Sequence, residues 1–116
     1  MLRCAPVACC LVLAATGLAR AVKYYDADSI VFCSQGESSC SEGYVFEALN
    51  GASRERLPVI FVIENNGYGL STPSNEQFRM KQFVDKGIGY GMEAVQVDGN
   101  NILETLKTFS DIADSI

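Results

Sequence analysis

The chain contains no histidine among its 116 residues. The side chain that ordinarily moves protons near neutral pH is therefore missing. Any acid–base step falls to carboxylates, to a bound cofactor or to another chain. Basic residues are also scarce, 9 Lys and Arg against 14 Asp and Glu, for a net charge of −5. That balance argues against nucleic acid or an anionic membrane surface as the main partner. The five cysteines, Cys4, Cys9, Cys10, Cys33 and Cys40, include no C-x-x-C pair. Without histidine, a zinc site would need at least four of them to converge. Reduced thiols in a cytoplasmic setting are the expectation. No G-x-x-x-x-G-K-[ST] occurs, and no G-x-G-x-x-G follows the first expected strand. The common phosphate loops of mononucleotide and dinucleotide sites are thereby set aside.

The composition itself is ordinary, 48% hydrophobic and 20% charged, and fits one domain that is small for a complete enzyme. Residues 1–21 have two readings. Arg3, the apolar run Ala5 to Ala15 and the small residues of Leu18-Ala19-Arg20-Ala21 imitate a secretory signal. A secreted small domain rests on that stretch alone. The run is too short to span a bilayer. The favoured alternative is a buried helix that begins near Pro6 and continues through Tyr24-Tyr25.

The centre of the chain is 33–72, which reads as strand, tight turn, helix, strand and loop. Ile30-Val31-Phe32-Cys33 is a short apolar run bounded by turn residues, as in a parallel strand buried on both faces. Val45, Ala48, Leu49 and Ala52 fall at helical spacing, with Ser39 or Ser41 as cap and Arg54 and Arg56 near the end. Val59-Ile60-Phe61-Val62-Ile63 is the strongest strand, entered through Leu57-Pro58. The order implies a right-handed βαβ unit. Beyond Pro73 the pattern predicts a short helix to about Val84, ended by Gly87, Gly89 and Gly91. A third strand over Glu93–Val97 and a closing amphipathic helix bearing Ile102, Leu103, Leu106, Phe109 and Ile112 follow, after a turn and cap at Asp98–Asn101. The fold class is thus α/β, a partial doubly wound parallel sheet with flanking helices, and residues 1–116 form one partial domain with an atypical start over 1–14.

Two polar clusters sit where the first two strands should end: Gly36-Glu37-Ser38-Ser39 and Asn65-Asn66-Gly67-Tyr68. In open α/β sheets ligands collect outside the carboxyl ends of strands. No Lys or Arg lies between Lys23 and Arg54. The first turn therefore offers an anion its backbone N–H groups and a helix start, while Glu37 repels it. A divalent cation between Glu37 and a phosphate resolves the conflict, with an amide oxygen from Asn66 and a backbone carbonyl completing half an octahedral shell. The plainer alternative is a capped turn and a tight turn with no ligand. Glu47 and Glu64 read as solvated groups rather than acid–base residues. Tyr24, Tyr25, Tyr44, Tyr68 and Tyr90 read as packing.

These residues resemble the thiamine diphosphate-binding part of the E1 α subunits of 2-oxo acid dehydrogenase complexes. The family motif is Gly-Asp-Gly followed, about thirty residues on, by Asn-Asn; Gly36-Glu37-Ser38 and Asn65-Asn66 match its ends. The likeness runs from roughly Ala15 to the last helix. Glu in place of Asp, with SEG, NNGYG and STPSNEQ following, is similar to the branched-chain type. The resemblance implies Mg²⁺ held by Glu37, Asn66 and the Tyr68 carbonyl. It also implies a diphosphate approached by backbone N–H groups of Gly36, Ser38 and Ser39. Glu37 reaches one C–C bond further than Asp, ~1.5 Å, and Ser38 replaces the second Gly of the motif. The implied partners are an E1 β subunit or β half, a lipoyl-bearing E2 component and a small 2-oxo acid. No catalytic residue can be assigned, and the chain covers about a third of such a subunit. It is not expected to catalyse oxidative decarboxylation alone. The alternative is a catalytically inactive truncated fragment that only folds or binds a partner.

Overall fold

The computed structural model describes the backbone of residues 5–116, and side-chain surroundings from Leu11 onward. The first helix, α1 (Ala5–Tyr24), forms where the helical reading of this stretch predicts, but it is not buried all round: Leu11, Leu13, Leu18 and Tyr24 are exposed. Val12, Ala15 and Ala19 recur at helical spacing and are buried, which fixes the face that α1 turns inward. Among the described residues no helix is long and apolar enough to cross a membrane. Cys4 lies outside the described residues, and the side chains of Cys9 and Cys10 do as well.

β1 (Val31–Gly36) and β2 (Val59–Glu64) pair in parallel, with Val31 opposite Val59 and Gly36 opposite Glu64. The helix between them, α2 (Gly43–Glu55), buries Val45, Ala48, Leu49 and Ala52, the predicted stripe. Two packed groups make the core: Val12, Ala15, Cys33, Val45, Ala48 and Leu49, then Ala19, Ala52, Leu57 and Val59. Full burial of a Val or Leu stabilises the fold by about 1.5–3 kcal/mol, so this layer contact is what holds α1 and α2 to the sheet.

α1 and α2 are also clamped at one end. The Arg20 fork donates from Nε and Nη2 to Glu55 at 2.7 and 2.6 Å, and Lys23 reaches the carbonyls of Glu55 and Arg56 at the negative end of α2. The hydrogen bonds from Arg20 and then Arg54 lower the Glu55 pKa from 4.5 to about 2. A depressed carboxyl pKa stabilises the fold above its unfolded value, and that contribution is lost as pH falls through 4.5 toward 2. Glu55→Gln is therefore expected to lower the thermal midpoint slightly at neutral pH, with the gap to the parent closing in acid. Circular dichroism melts over a pH series would check this.

Several expectations need correction. β1 is buried on one face only: Cys33 and Gln35 point inward, while Phe32 is 55% exposed, its ring tilted against Phe109 of the last helix with centroids 5.2 Å apart. The helices cover one side of a two-stranded sheet and leave the other largely open. Neither Ser39 nor Ser41 caps α2; a 3-10 turn (Glu37–Ser41) intervenes and Glu42 takes the cap position. Segment 93–97 forms no strand. The helix after Pro73 is broken into α3 (Ser74–Gln77) and α4 (Val84–Tyr90), and α4 runs through Gly87 and Gly89. It stops only at Gly91, in the left-handed region, where Gly91 N–H and Met92 N–H bond back to Ile88 and Gly87 carbonyls. A short hairpin of β3 (Tyr68–Gly69) and β4 (Thr72–Pro73) was not foreseen. The tyrosines pack less than expected: Tyr24, Tyr25, Tyr44 and Tyr68 are exposed. α5 (Ile102–Ser115) is present and capped by Asn101, but Ile102, Leu103 and Leu106 of its stripe are exposed.

Candidate functional site

The carboxyl ends of β1 and β2 lie side by side, because Gly36 pairs with Glu64. The two polar clusters therefore leave the sheet at the same edge. Gly36 is extended and exposed, and a Cβ there would meet nothing within 4 Å, so open space borders the strand end. Glu37 follows as the first residue of the 3-10 turn and is 2% exposed. Its one side-chain hydrogen bond among the described residues comes from the Ser74 hydroxyl, which donates to Oε1 at 3.2 Å. The ion pairs among those residues, Arg20–Glu55 and Arg54–Glu55, do not involve it.

Ser74 also ties the second cluster to the first. Its backbone N–H donates to the Gly67 carbonyl at 2.9 Å. In the loop, Asn65 Oδ1 accepts from Gly67 N–H at 2.9 Å and Asn66 Oδ1 from Tyr68 N–H at 2.8 Å, two successive Asx turns. Gly67 takes φ +82°, which few L residues adopt. Glu37 and the loop are thus brought together through Ser74. The Asn66 amide closes its own turn and bonds neither Glu37 nor Ser38. Ser38 points its side chain at Gly69: a Cβ on Gly69 would lie 2.8 Å from Ser38 Cβ and nearer still to its Oγ. That Oγ is buried without a hydrogen-bond partner. Ser39 is half-buried, and its carbonyl accepts from Glu42 N–H at 3.1 Å.

The turn is held from its other end too. Cys40 is buried; its Sγ accepts from Gln35 Nε2 at 3.2 Å, and its carbonyl accepts from Lys86 Nζ at 3.1 Å. Cys33 and Cys40 are free thiols, and burial pushes both pKa values up. Glu64 is engaged by the Ser34 hydroxyl, and Glu47 is exposed on α2. Sequence reasoning missed Ser74, Gly69 and Lys86, whose roles arise from contacts 31 or more residues apart in the chain.

The residues fit a divalent cation on chemical grounds. A buried carboxylate facing only a neutral hydroxyl is costly without a positive charge. Among the described residues no three acidic or cysteine side chains cluster as metal ligands, so further ligands beside Glu37 would have to be neutral oxygens. The adjoining cavity, bordered by Asn65, Ser74, Phe78, Met80, Lys81 and Phe83, holds about 150 Å³. Sites for drug-sized ligands measure about 300–1,000 Å³. A larger concavity of about 410 Å³ lies at the opposite end of the strands, where Arg20 and Glu55 are already paired.

A parallel βαβ unit with flanking helices, an acidic turn and an asparagine loop at one sheet edge places the chain in the α/β class, as a partial sheet. The chain belongs to the family described as Dehydrogenase E1 component, which it matches over residues 3–111. The match begins ahead of Ala15, where the residue likeness was expected to start. Among similar proteins, the mitochondrial 2-oxoisovalerate dehydrogenase subunit alpha of Mus musculus is 42% identical over 88 residues, covering 76% of this chain and 20% of that protein. The 3-methyl-2-oxobutanoate dehydrogenase subunit alpha of Mycobacterium tuberculosis is 37% identical over 101 residues, 87% of this chain and 28% of the relative. The 2-oxoisovalerate dehydrogenase subunit alpha of Bacillus subtilis is 38% identical over 97 residues, 84% and 29% respectively. The likeness to branched-chain E1 α subunits therefore stands. The chain spans between about a fifth and under a third of the length of these relatives.

Proposed function

We propose that the chain is one partial domain supplying the Mg²⁺ and diphosphate half-site of a thiamine diphosphate-dependent 2-oxo acid dehydrogenase E1 component. The observation that carries this is Glu37, buried at a strand tip with a neutral hydroxyl as its side-chain partner. Glu37, the Asn66 amide oxygen and the Tyr68 carbonyl would hold Mg²⁺. Backbone N–H groups of Gly36, Ser38 and Ser39 would face the diphosphate. When bound, thiamine diphosphate supplies the nucleophile and electron sink for decarboxylating a 2-oxo acid and passing the acyl group to a lipoyl group. The chain's own share is to bind and orient; no residue here is assigned as catalytic. The small cavity fits half a site, with an E1 β subunit or β half as the other wall and a lipoyl-bearing E2 component as acceptor. The free thiols suit a reducing compartment, the cytoplasm or, as in the named mouse relative, the mitochondrion.

A second reading, a folded or partner-binding piece that takes no cofactor, is favoured by the same small cavity and by Ser38. Calorimetric titration with thiamine diphosphate and Mg²⁺, with and without a β-type partner, separates the two. Mg²⁺-dependent binding that strengthens with the partner is expected; no heat under either condition selects the second reading.

A further inference from the structure

Lys86 lies on α4, outside every residue assigned above to metal or diphosphate. Its Nζ donates to the Cys40 carbonyl at 3.1 Å, within the turn that begins at Glu37. Three rings surround the ammonium, with centroids at 4.8 Å for Phe78, 5.1 Å for Phe46 and 5.6 Å for Phe83. Each distance suits cation–π attraction, which strengthens as the cation is desolvated. Burial also pushes the Lys86 pKa down. One ammonium thus joins α2, the 78–83 segment and α4 to a single carbonyl of the turn. Short 3-10 segments have poor internal hydrogen-bond geometry, so their shape depends on ties from outside.

We propose that Lys86 is a positioning residue: through the Cys40 carbonyl it holds the Glu37–Ser41 turn in the shape that presents Glu37 to a divalent cation. Ser74 secures the Glu37 end of the same turn and Lys86 the Cys40 end. The inference rests on the metal role proposed for Glu37. Lys86→Met keeps the length and apolar stem but removes donor and charge; Lys86→Arg keeps both.

The test uses the whole chain, with amide hydrogen exchange of the turn in the absence of metal and Mn²⁺ binding with thiamine diphosphate followed by electron paramagnetic resonance. For Lys86→Met, faster exchange at 38–42 and about a tenfold higher half-saturating Mn²⁺ are expected, the size of a lost charged hydrogen bond. Exchange at Val45–Ala52 should stay at the parent level, and Lys86→Arg should recover most of both effects. Parent-like exchange of the turn in Lys86→Met, or an Arg variant as impaired as Met, overturns the proposal. Should the parent fail to bind Mn²⁺ both with and without a β-type partner while Lys86→Met still loosens the turn, the metal assignment of Glu37 falls and Lys86 remains the tie that shapes the turn.

Discussion

Glu37→Ala is expected to weaken Mg²⁺-dependent thiamine diphosphate binding by about 100-fold or more, beyond what losing an outer-shell group costs at a metal site. Calorimetry gives that number, but a simple loss of binding would also follow from misfolding. Glu37→Gln separates the two. The amide oxygen can still accept from Ser74 Oγ and the volume is nearly unchanged, while the charge goes and the second oxygen becomes an NH₂ donor. A carboxylate this buried, without a cationic partner among the described residues, is a burden on the fold when no metal is bound. In chelator, Glu37→Gln should therefore be more stable than the parent, by about 1–3 kcal/mol in urea titrations. Adding Mg²⁺ with the diphosphate should reverse the order. A ligand at 100 times its Kd stabilises the fold that binds it by about 2.7 kcal/mol, and the variant lacks the charged carboxylate proposed to hold the ion. A parent that outlasts Glu37→Gln in chelator would mean that the carboxylate has an internal counter-charge and needs no metal.

The same residues show which parts of the fold were legible in the sequence. The α2 stripe was readable because one helix face meets one core, so Val45, Ala48, Leu49 and Ala52 had to be inside whatever the neighbours were. β1 and β2 were readable as runs of apolar residues, but their exposure was not. Burial on both faces requires a second layer, and Phe32 has little above it. Segment 93–97 carries a genuine alternation, yet alternation states which side would be buried, not that a sheet edge is free to pair. The stretch instead passes alongside α4 with residues 93–96 exposed: Met92 packs against the core, and a Cβ on Gly87 would lie 2.6 Å from Ala94 Cβ. At the site, Glu37 and Asn66 were legible because each stands at the tip of a strong strand. Ser74 and Lys86 were not, since each reaches the turn from 37 or more residues away with no local signal. The β3–β4 hairpin, two residues on each side, is too short to leave a periodic trace.

Gly69→Ala tests the contact between the two clusters from the opposite direction. Gly69 does not have a positive φ, so its need for glycine is one of space and not of backbone freedom. The added methyl would stand 2.8 Å from both Ser38 Cβ and Gln77 Nε2, and closer to Ser38 Oγ. Ser38 cannot yield easily, because its Oγ is buried and it lies within the Glu37–Ser41 turn, which Ser74 and Lys86 hold at either end. The β3–β4 hairpin is the softer partner, and it carries the Tyr68 carbonyl and leads into Ser74. Overpacking of this kind costs about 1–3 kcal/mol of stability. The loss of Mg²⁺-dependent binding should be larger than that figure alone implies, because the hairpin moves its own carbonyl together with the Ser74 hydroxyl that donates to Glu37. Ser38→Gly restores the second glycine of the family motif and removes the clashing atoms. On its own it should change stability by less than about 1 kcal/mol, the entropy of an added glycine set against the loss of an unpartnered hydroxyl. Combined with Gly69→Ala it should recover most of the binding, with a coupling energy of at least about 1 kcal/mol in a double-mutant cycle. Additive effects would place the clash at Gln77 instead. A rescue would explain the serine itself: a side chain is tolerated at this point of the motif because the glycine facing it across the turn has none.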